Sequence, residues 1–454
     1  MRAVSVTVVS TVLVLLAVCG SASANGFLVP AVGARASGLG GAFIGLADDY
    51  SAAFWNPAGI TQIEGTQLTV IGQDAASLGS REGIAFFRGA TNLGIPVIAP
   101  LRATAEAGHR PVPGVFFYPR FSLGALFDKI GLTAFTLADY GTRWAGSSMY
   151  DDVIAAYATA PNDPAGHRRV MGEAPDSETR LVSYAITPVV AKEIVPGLSF
   201  GLAGHAVHTS LETKLGTWYE ESWEDSSKLH PVQMEDNASG WGYCATVGVL
   251  FKATQTLSVG AVLRTPMTVN VKGEIEVSST FPEFVSPKQD QDYDITFPMW
   301  AGLGLAYRDL LVDGLTLTTD VTWTQWSDFG AIVRNTENEL PGGLGSSDPP
   351  EWDDTIEVGV GLDYKMSRSM SFRMGYRNVP SPTDAEHFTF AFPQIAKSVV
   401  SAGLTYRRDT WHADVAFEYQ AGETLDIPPQ VNYESNGKNL EDLVVASLAL
   451  TYSF

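Results

Sequence analysis

The side chains best able to do chemistry stand at spacings that argue against catalysis. The chain has seven histidines, and the closest two, His205 and His208, are three apart in a stretch that reads as a β-strand. Their rings therefore leave opposite faces, whereas a metal pair on a strand needs a spacing of two. His412 and Asp414 do share a face, but no serine in a nucleophile context accompanies them, so a lipase-type triad cannot be assembled. The cysteines are Cys19, inside the N-terminal apolar run, and Cys244, which offers neither a disulfide framework nor a cysteine metal site by itself. No cofactor and no metal is expected, and the chain does not read as an enzyme. Three arginines, Arg264, Arg373 and Arg377, fall on predicted inward faces. They could meet a ligand carboxylate, or they could pair with inward Glu357, Asp363 or Asp414. The acidic runs Glu220-Glu221 with Glu224-Asp225, and Asp353-Asp354 after Glu351, read as solvated loops, with divalent cations shared with lipopolysaccharide as the alternative.

Positioning these residues begins with the N-terminus. Arg2 precedes an apolar run, Val4 to Val18, and Ala22-Ser23-Ala24 supplies the small-x-small pattern at which signal peptidase cuts. Residues 1–24 read as a signal peptide, too short and wrongly flanked for a spanning helix, and Val18 before Cys19 argues against a lipoprotein. Cleavage after Ala24 removes one charge, Arg2, so 28 Lys+Arg remain against 50 Asp+Glu, a formal charge of −22. That acidity argues against nucleic acid, because a phosphate backbone needs a basic face. The full chain has 44 glycines and 11% aromatics, yet the mature part offers no run of about twenty apolar residues. A membrane protein without such a run must be a closed barrel, since open sheet edges cannot be satisfied in hydrocarbon.

Alternation along the chain supports the barrel. Val444, Ala446, Leu448, Leu450, Tyr452 and Phe454 alternate with small or polar residues. Trp411, Ala413, Val415, Phe417 and Tyr419 do the same, as do Ile356 to Tyr364 and Met370 to Tyr376 at every second position. Each segment thus has one face for lipid and one for a wet or ligand-filled lumen. Trp and Tyr near the strand ends and a terminal Phe454 suit a membrane barrel better than a soluble sandwich. The pattern predicts about fourteen strands, from 66–73 through 111–122, 130–141 and 256–272 to 441–454. Short turns such as Val195-Pro196-Gly197 and Arg408-Asp409-Thr410 alternate with long polar segments at 144–178, 212–239, 327–353 and 421–440. On the second and third strands the inward set includes Phe116, Tyr118, Thr133, Phe135, Leu137 and Asp139. Large apolar residues on that face suit an apolar ligand, since a porin lumen is polar.

Residues 25–63 break the strand pattern and read as short helices and turns ahead of the first strand. Their elements run Gly26-Phe27, Ser37-Gly38-Leu39-Gly40, Ala42-Phe43, Gly45, Ala47-Asp48-Asp49, Asn56-Pro57-Ala58 and Ile60-Thr61. In this order, directly after a signal peptide, the segment resembles the N-terminal hatch of the long-chain fatty-acid and aromatic-hydrocarbon transporters of the outer membrane, the FadL/TodX (OMPP1) family. Asp320-Val321-Thr322-Trp323 with Trp326-Ser327-Asp328-Phe329, and Phe372-Arg373-Met374-Gly375-Tyr376 with Ser381-Pro382, extend the resemblance more loosely to the rest of the chain.

The resemblance implies an all-β, fourteen-stranded transmembrane barrel over 64–454 with residues 25–63 as a plugging hatch. It implies passive transport of a fatty acid or hydrocarbon across the outer membrane, with lateral release through a gap at a kinked third strand. Here that gap falls on Asp139-Tyr140-Gly141, residue types that weaken a strand and mark bulges, braced by Asn56-Pro57-Ala58 of the hatch. Phe27, Leu28, Phe116, Tyr118, Phe135 and Leu137 are expected to contact the ligand, with Arg264 and Arg373 near its carboxylate. The expected partners are the hydrophobic ligand, outer-membrane lipid and lipopolysaccharide, and the assembly machinery that reads Phe454; the barrel is expected to be a monomer. The alternative function is a structural or adhesion barrel whose plug never moves.

Overall fold

A computed structural model describes residues 31–87, 97–104, 110–120, 123–124, 126–144, 177–220, 229–330, 332–341, 351–388, 394–428 and 437–454. The signal peptide 1–24 and the mature start with Phe27 and Leu28 lie outside the described residues. Fourteen antiparallel strands close into one barrel. In chain order they are β1 Gln67–Phe87, β2 in two pieces (Val97–Thr104 and Arg110–Tyr118), β3 Lys129–Trp144, β4 Ser177–Val195, β5 Leu198–Glu220 and β6 Leu229–Lys252. Next come β7 (Leu257–Arg264 and Met267–Ser279), β8 (Ser286–Phe297 and Trp300–Tyr307), β9 Leu315–Thr324 and β10 Thr355–Lys365. The last four are β11 Met370–Val379, β12 Lys397–Arg408, β13 Trp411–Gly422 and β14 Gly437–Ser453. Closure is made by β1 against β14, in register from Gln67↔Ser453 to Glu82↔Lys438.

The period-2 pattern decides which face meets lipid. Val415, Phe417, Tyr419, Leu448, Leu450, Met374 and Phe372 are exposed, whereas Asp414, Glu418, Ser447, Thr451 and Arg373 between them are buried. Exposed aromatics ring the wall near both ends. Tyr364, Tyr406, Trp411 and Phe454 stand by the short turns, and Tyr184, Trp241, Tyr243 and Tyr376 stand nearer the long loops, as interfacial belts require. Phe454 donates its backbone N–H to the Thr66 carbonyl at 2.9 Å and leaves its ring 70% exposed.

Several strands outrun the sequence expectation. The stretch 212–239 is not a long loop, because β5 and β6 stay in register from Glu212↔Asn237 to Glu220↔Leu229. β1 likewise runs to Phe87, well past 73. Beyond the hydrocarbon a strand needs its backbone ladder but no apolar outer face, so the hydrophobic alternation fades while pairing continues.

The lumen is occupied by residues 31–63. They form two single-turn helices, α1 Ala34–Ser37 and α2 Ala52–Trp55, and a 3-10 helix, Pro57–Gln62. Such short helices are unstable alone, and packing holds them: Leu39, Phe43, Ile44, Tyr50 and Ile60 are buried. The fit depends on wall glycines. A Cβ at Gly375 would stand 2.2 Å from the Gly40 nitrogen, and one at Gly201 would stand 2.2 Å from the Ala58 nitrogen. Gly40, with φ +63°, itself touches the Tyr376 backbone. The Ser37-Gly38-Leu39-Gly40 and Asn56-Pro57-Ala58 stretches therefore lie backbone-to-backbone on the barrel wall.

Candidate functional site

The lumen has two unlike walls. On β9 to β14 and β1 it is polar, and the N-terminal segment is bolted to it. Asp320 on β9 accepts from the amides of Phe43 and Ile44 at 2.6 and 2.7 Å. Ser37 hydrogen-bonds Glu418 on β13, and Gly40 donates to the Ser401 hydroxyl at 3.0 Å. Arg35 pairs with Asp48 of its own segment and, at 3.1 Å, with Asp363 on β10. Hydrogen bonds to a charged group contribute about 1.5–3 kcal/mol each, so these anchors together outweigh the weakness of the helices.

On β2 to β8 the wall is apolar. Phe116 and Phe135 stack with ring centroids 5.9 Å apart, Phe135 meets Phe54 edge-on at 5.7 Å, and Phe116 meets Tyr50 at 5.1 Å. Tyr118 donates its hydroxyl to the Tyr50 carbonyl at 2.6 Å. Leu137 joins the same buried cluster. All four described apolar candidates, Phe116, Tyr118, Phe135 and Leu137, thus come together. The cluster also contains Tyr50, Phe54, Trp55 and Trp300, which the sequence reading passed over. For Tyr50, Phe54 and Trp55 the signal was present as aromatics just ahead of Asn56-Pro57-Ala58, in a segment rich in Gly and Ala.

The two candidate arginines part company. Arg373 is locked by Asp363 at 3.3 Å and Asp414 at 3.5 Å and bonds Thr405; its charge is already matched, and it does not meet the apolar cluster. Arg377 faces Glu418 at 3.7 Å and also interacts electrostatically with Glu357, one of the three acids considered for these arginines. Arg264 is different. Its guanidinium lies over the rings of Phe54 at 4.5 Å and Trp300 at 5.1 Å, donating to the Phe54 carbonyl at 3.0 Å and the Thr246 hydroxyl at 3.1 Å. Among the described residues no carboxylate pairs with it. His205, on the same apolar side, is buried and held at both ring nitrogens by Thr187 and Thr246 at 2.8 Å.

The wall itself is incomplete beside this cluster. Among the described residues β2 and β3 are paired only from Gly114↔Phe135 to Phe117↔Leu132, while β3 continues to Trp144 against β4. The irregularity is not at Asp139-Tyr140-Gly141, as expected from residue types. Those three are paired in order with Val182, Leu181 and Arg180, and the register shift falls between Thr136 and Ala138. Leu137 is the extra residue, and Thr136, Leu137 and Ala138 are all buried, with Leu137 and Ala138 in the lumen cluster. The signal missed in the sequence is Pro111-Val112-Pro113. The Pro113 carbonyl points at β3, accepting from the Thr136 hydroxyl at 3.5 Å. On a strand the N–H of a residue points the same way as its carbonyl, so Pro111 and Pro113 lack the donors that would extend the ladder. Asn56 does not brace this seam. It donates to the Ile44 carbonyl at 3.1 Å and the Val249 carbonyl of β6 at 3.0 Å.

The sequence model of the family described as outer membrane protein transport protein (OMPP1/FadL/TodX) matches residues 155–454. Among solved structures the chain resembles a Pseudomonas aeruginosa FadL homologue, with TM-score 0.74 and 17% identity, covering 95% of this chain and 100% of that one. It also resembles the P. putida toluene transporter TodX, with TM-score 0.67, 16% identity and coverages of 94% and 99%. The Ralstonia pickettii toluene transporter TbuX gives TM-score 0.65, 15% identity and coverages of 94% and 99%. No curated protein matches the chain in sequence.

Proposed function

The chain belongs to the outer membrane protein transport family (OMPP1/FadL/TodX), outer-membrane barrels that pass hydrophobic compounds, and from this we propose that its cargo is a long-chain fatty acid released sideways between β2 and β3. The observation that carries this reading is Arg264, a buried cation without a carboxylate partner among the described residues, set in an aromatic cluster that abuts the interrupted seam. An ionised head group beside Arg264 would complete a charge-assisted pair, and the tail would lie along Phe135, Phe116 and Leu137 toward the membrane. Residues 25–63 act as a hatch whose described part, 31–63, remains bolted to the polar wall while cargo moves along the apolar one, and Phe27 and Leu28 are further candidate ligand contacts. The working unit is a monomer in contact with lipid and lipopolysaccharide, assembled through its terminal Phe454.

Replacing Arg264 by Met preserves length and apolar contacts but removes the charge. Affinity for oleate is expected to fall by about ten- to hundredfold, the loss of one charge-assisted bond, while affinity for octadecene stays unchanged. Fluorescence displacement with the purified variant reads both. Equal affinity of R264M and the parent for oleate would reject the fatty-acid reading and leave a neutral hydrocarbon as cargo. Oleate uptake by cells also separates transport from a structural or adhesion barrel, which would show none.

A further inference from the structure

Residues 332–341, from the connection between β9 and β10, fold back into the mouth of the barrel. Asn335 and Thr336 pair with Asp292 and Gln291 of β8, and the Asn338 amide donates to the Gln289 side chain at 2.7 Å. Two anchors stand out. Arg334 donates from Nε and Nη2 to one oxygen of Asp236 on β6, both at 3.0 Å, and lies 5.2 Å over the Tyr293 ring. Leu340 is buried among Val232, Met234, Ile275 and Val277, an apolar patch of β6 and β7 above the membrane. At the other end of the strap Ile332 packs against the lumen cluster.

The strap thus carries an apolar group and a paired guanidinium, the complement of an amphiphilic anion. We propose that residues 332–341 are a ligand-displaced gate, in which Leu340 fills the apolar patch that a ligand's tail would occupy and Asp236 holds the guanidinium that an arriving carboxylate takes over. This rests on the fatty-acid reading above. The exchange is chemically balanced. Asp236 keeps the Tyr293 hydroxyl at 3.1 Å and the Gln291 amide at 2.5 Å after Arg334 leaves, so its carboxylate stays hydrogen-bonded while the arriving carboxylate pairs the guanidinium. A hydrocarbon can replace Leu340 but has nothing to offer Arg334, so the gate favours anionic amphiphiles over neutral cargo of equal length.

The test uses whole cells bearing the full-length protein with Cys244→Ser. Met234→Cys, placed beneath Leu340, is labelled from outside with a membrane-impermeant maleimide. Labelling should be slow, should quicken roughly tenfold with oleate as the open state gains population, and should not respond to octadecene. Leu340→Ser should label rapidly without ligand. In a second variant, a disulfide between Asp292→Cys and Asn335→Cys should stop oleate uptake until reductant is added. Labelling indifferent to both oleate and Leu340→Ser, or uptake that persists with the disulfide verified, overturns the gate. If the reduced protein takes up no oleate, the transport reading fails instead, while the labelling response still decides whether the strap opens.

Discussion

Valine at Gly375 and Gly201 together is expected to give a barrel that assembles but no longer seats its hatch. Both glycines lie in strands, where valine is the better residue for the pleated wall, so the ladders of β5 and β11 should survive. Inside the lumen the same Cβ atoms would stand 2.2 Å from the backbone of Gly40 and of Ala58. Neither the wall nor the hatch can give way there, because the contact is backbone on backbone rather than the flexible end of a side chain. The hatch would also lose the register that brings Phe43 and Ile44 to Asp320, and its one-turn helices have little stability of their own. Heat-modifiable migration should therefore persist, while the N-terminal segment becomes cleavable by protease added to liposomes. Planar-bilayer conductance should rise from closed to a stable open level, on the order of a nanosiemens for a water-filled barrel of this size. Gly72, with nothing within 4 Å of an added Cβ, serves as the control: Gly72→Val should stay closed. A double variant that remains closed and protease-resistant would show that glycine seating does not hold the hatch.

What could be read from the sequence, and what could not, divides along one physical line. Side-chain alternation is local, so the barrel and the inward positions of Phe116, Tyr118, Phe135 and Leu137 were visible in strings of about ten residues. Cross-strand register is not local. Arg264 and Arg373 look alike in the sequence, each a basic residue on an inward face. Register places Asp363 directly across from Arg373, whereas the neighbours of Arg264 are Thr246 and Trp300; one charge is cancelled and the other is not. The strand glycines were hidden for the same reason, since their partners lie far away in the hatch. The bulge was sought at Asp139-Tyr140-Gly141 because those residue types weaken strands. Yet Asp139, Tyr140 and Gly141 still have a partner strand in β4, and the prolines that withdraw β2 belong to the other side of the seam.

Those prolines lead to the second large effect. Val112 and Leu137 each lie two residues beyond the last paired residues, Gly114 and Phe135, and both side chains are buried on the lumen side. With Cys244→Ser, Val112→Cys and Leu137→Cys, a short bis-methanethiosulfonate should bridge the opening. Oleate uptake is then expected to fall to the level of cells lacking the protein and to recover fully on reduction. The size of the effect follows from the alternative path. Each methylene released to water costs about 0.8 kcal/mol, so a long chain denied the membrane-facing opening faces a steep barrier into the periplasm. The same reagent applied to Val115→Cys with Ala134→Cys, a pair already in register on the outer face, should leave uptake unchanged. That control separates closure of the seam from mere stiffening of β2 and β3. Uptake that continues through a verified Val112–Leu137 bridge would place the exit elsewhere, and cargo would then have to pass the hatch, whose bonds to Asp320, Ser401 and Glu418 would have to break in every cycle.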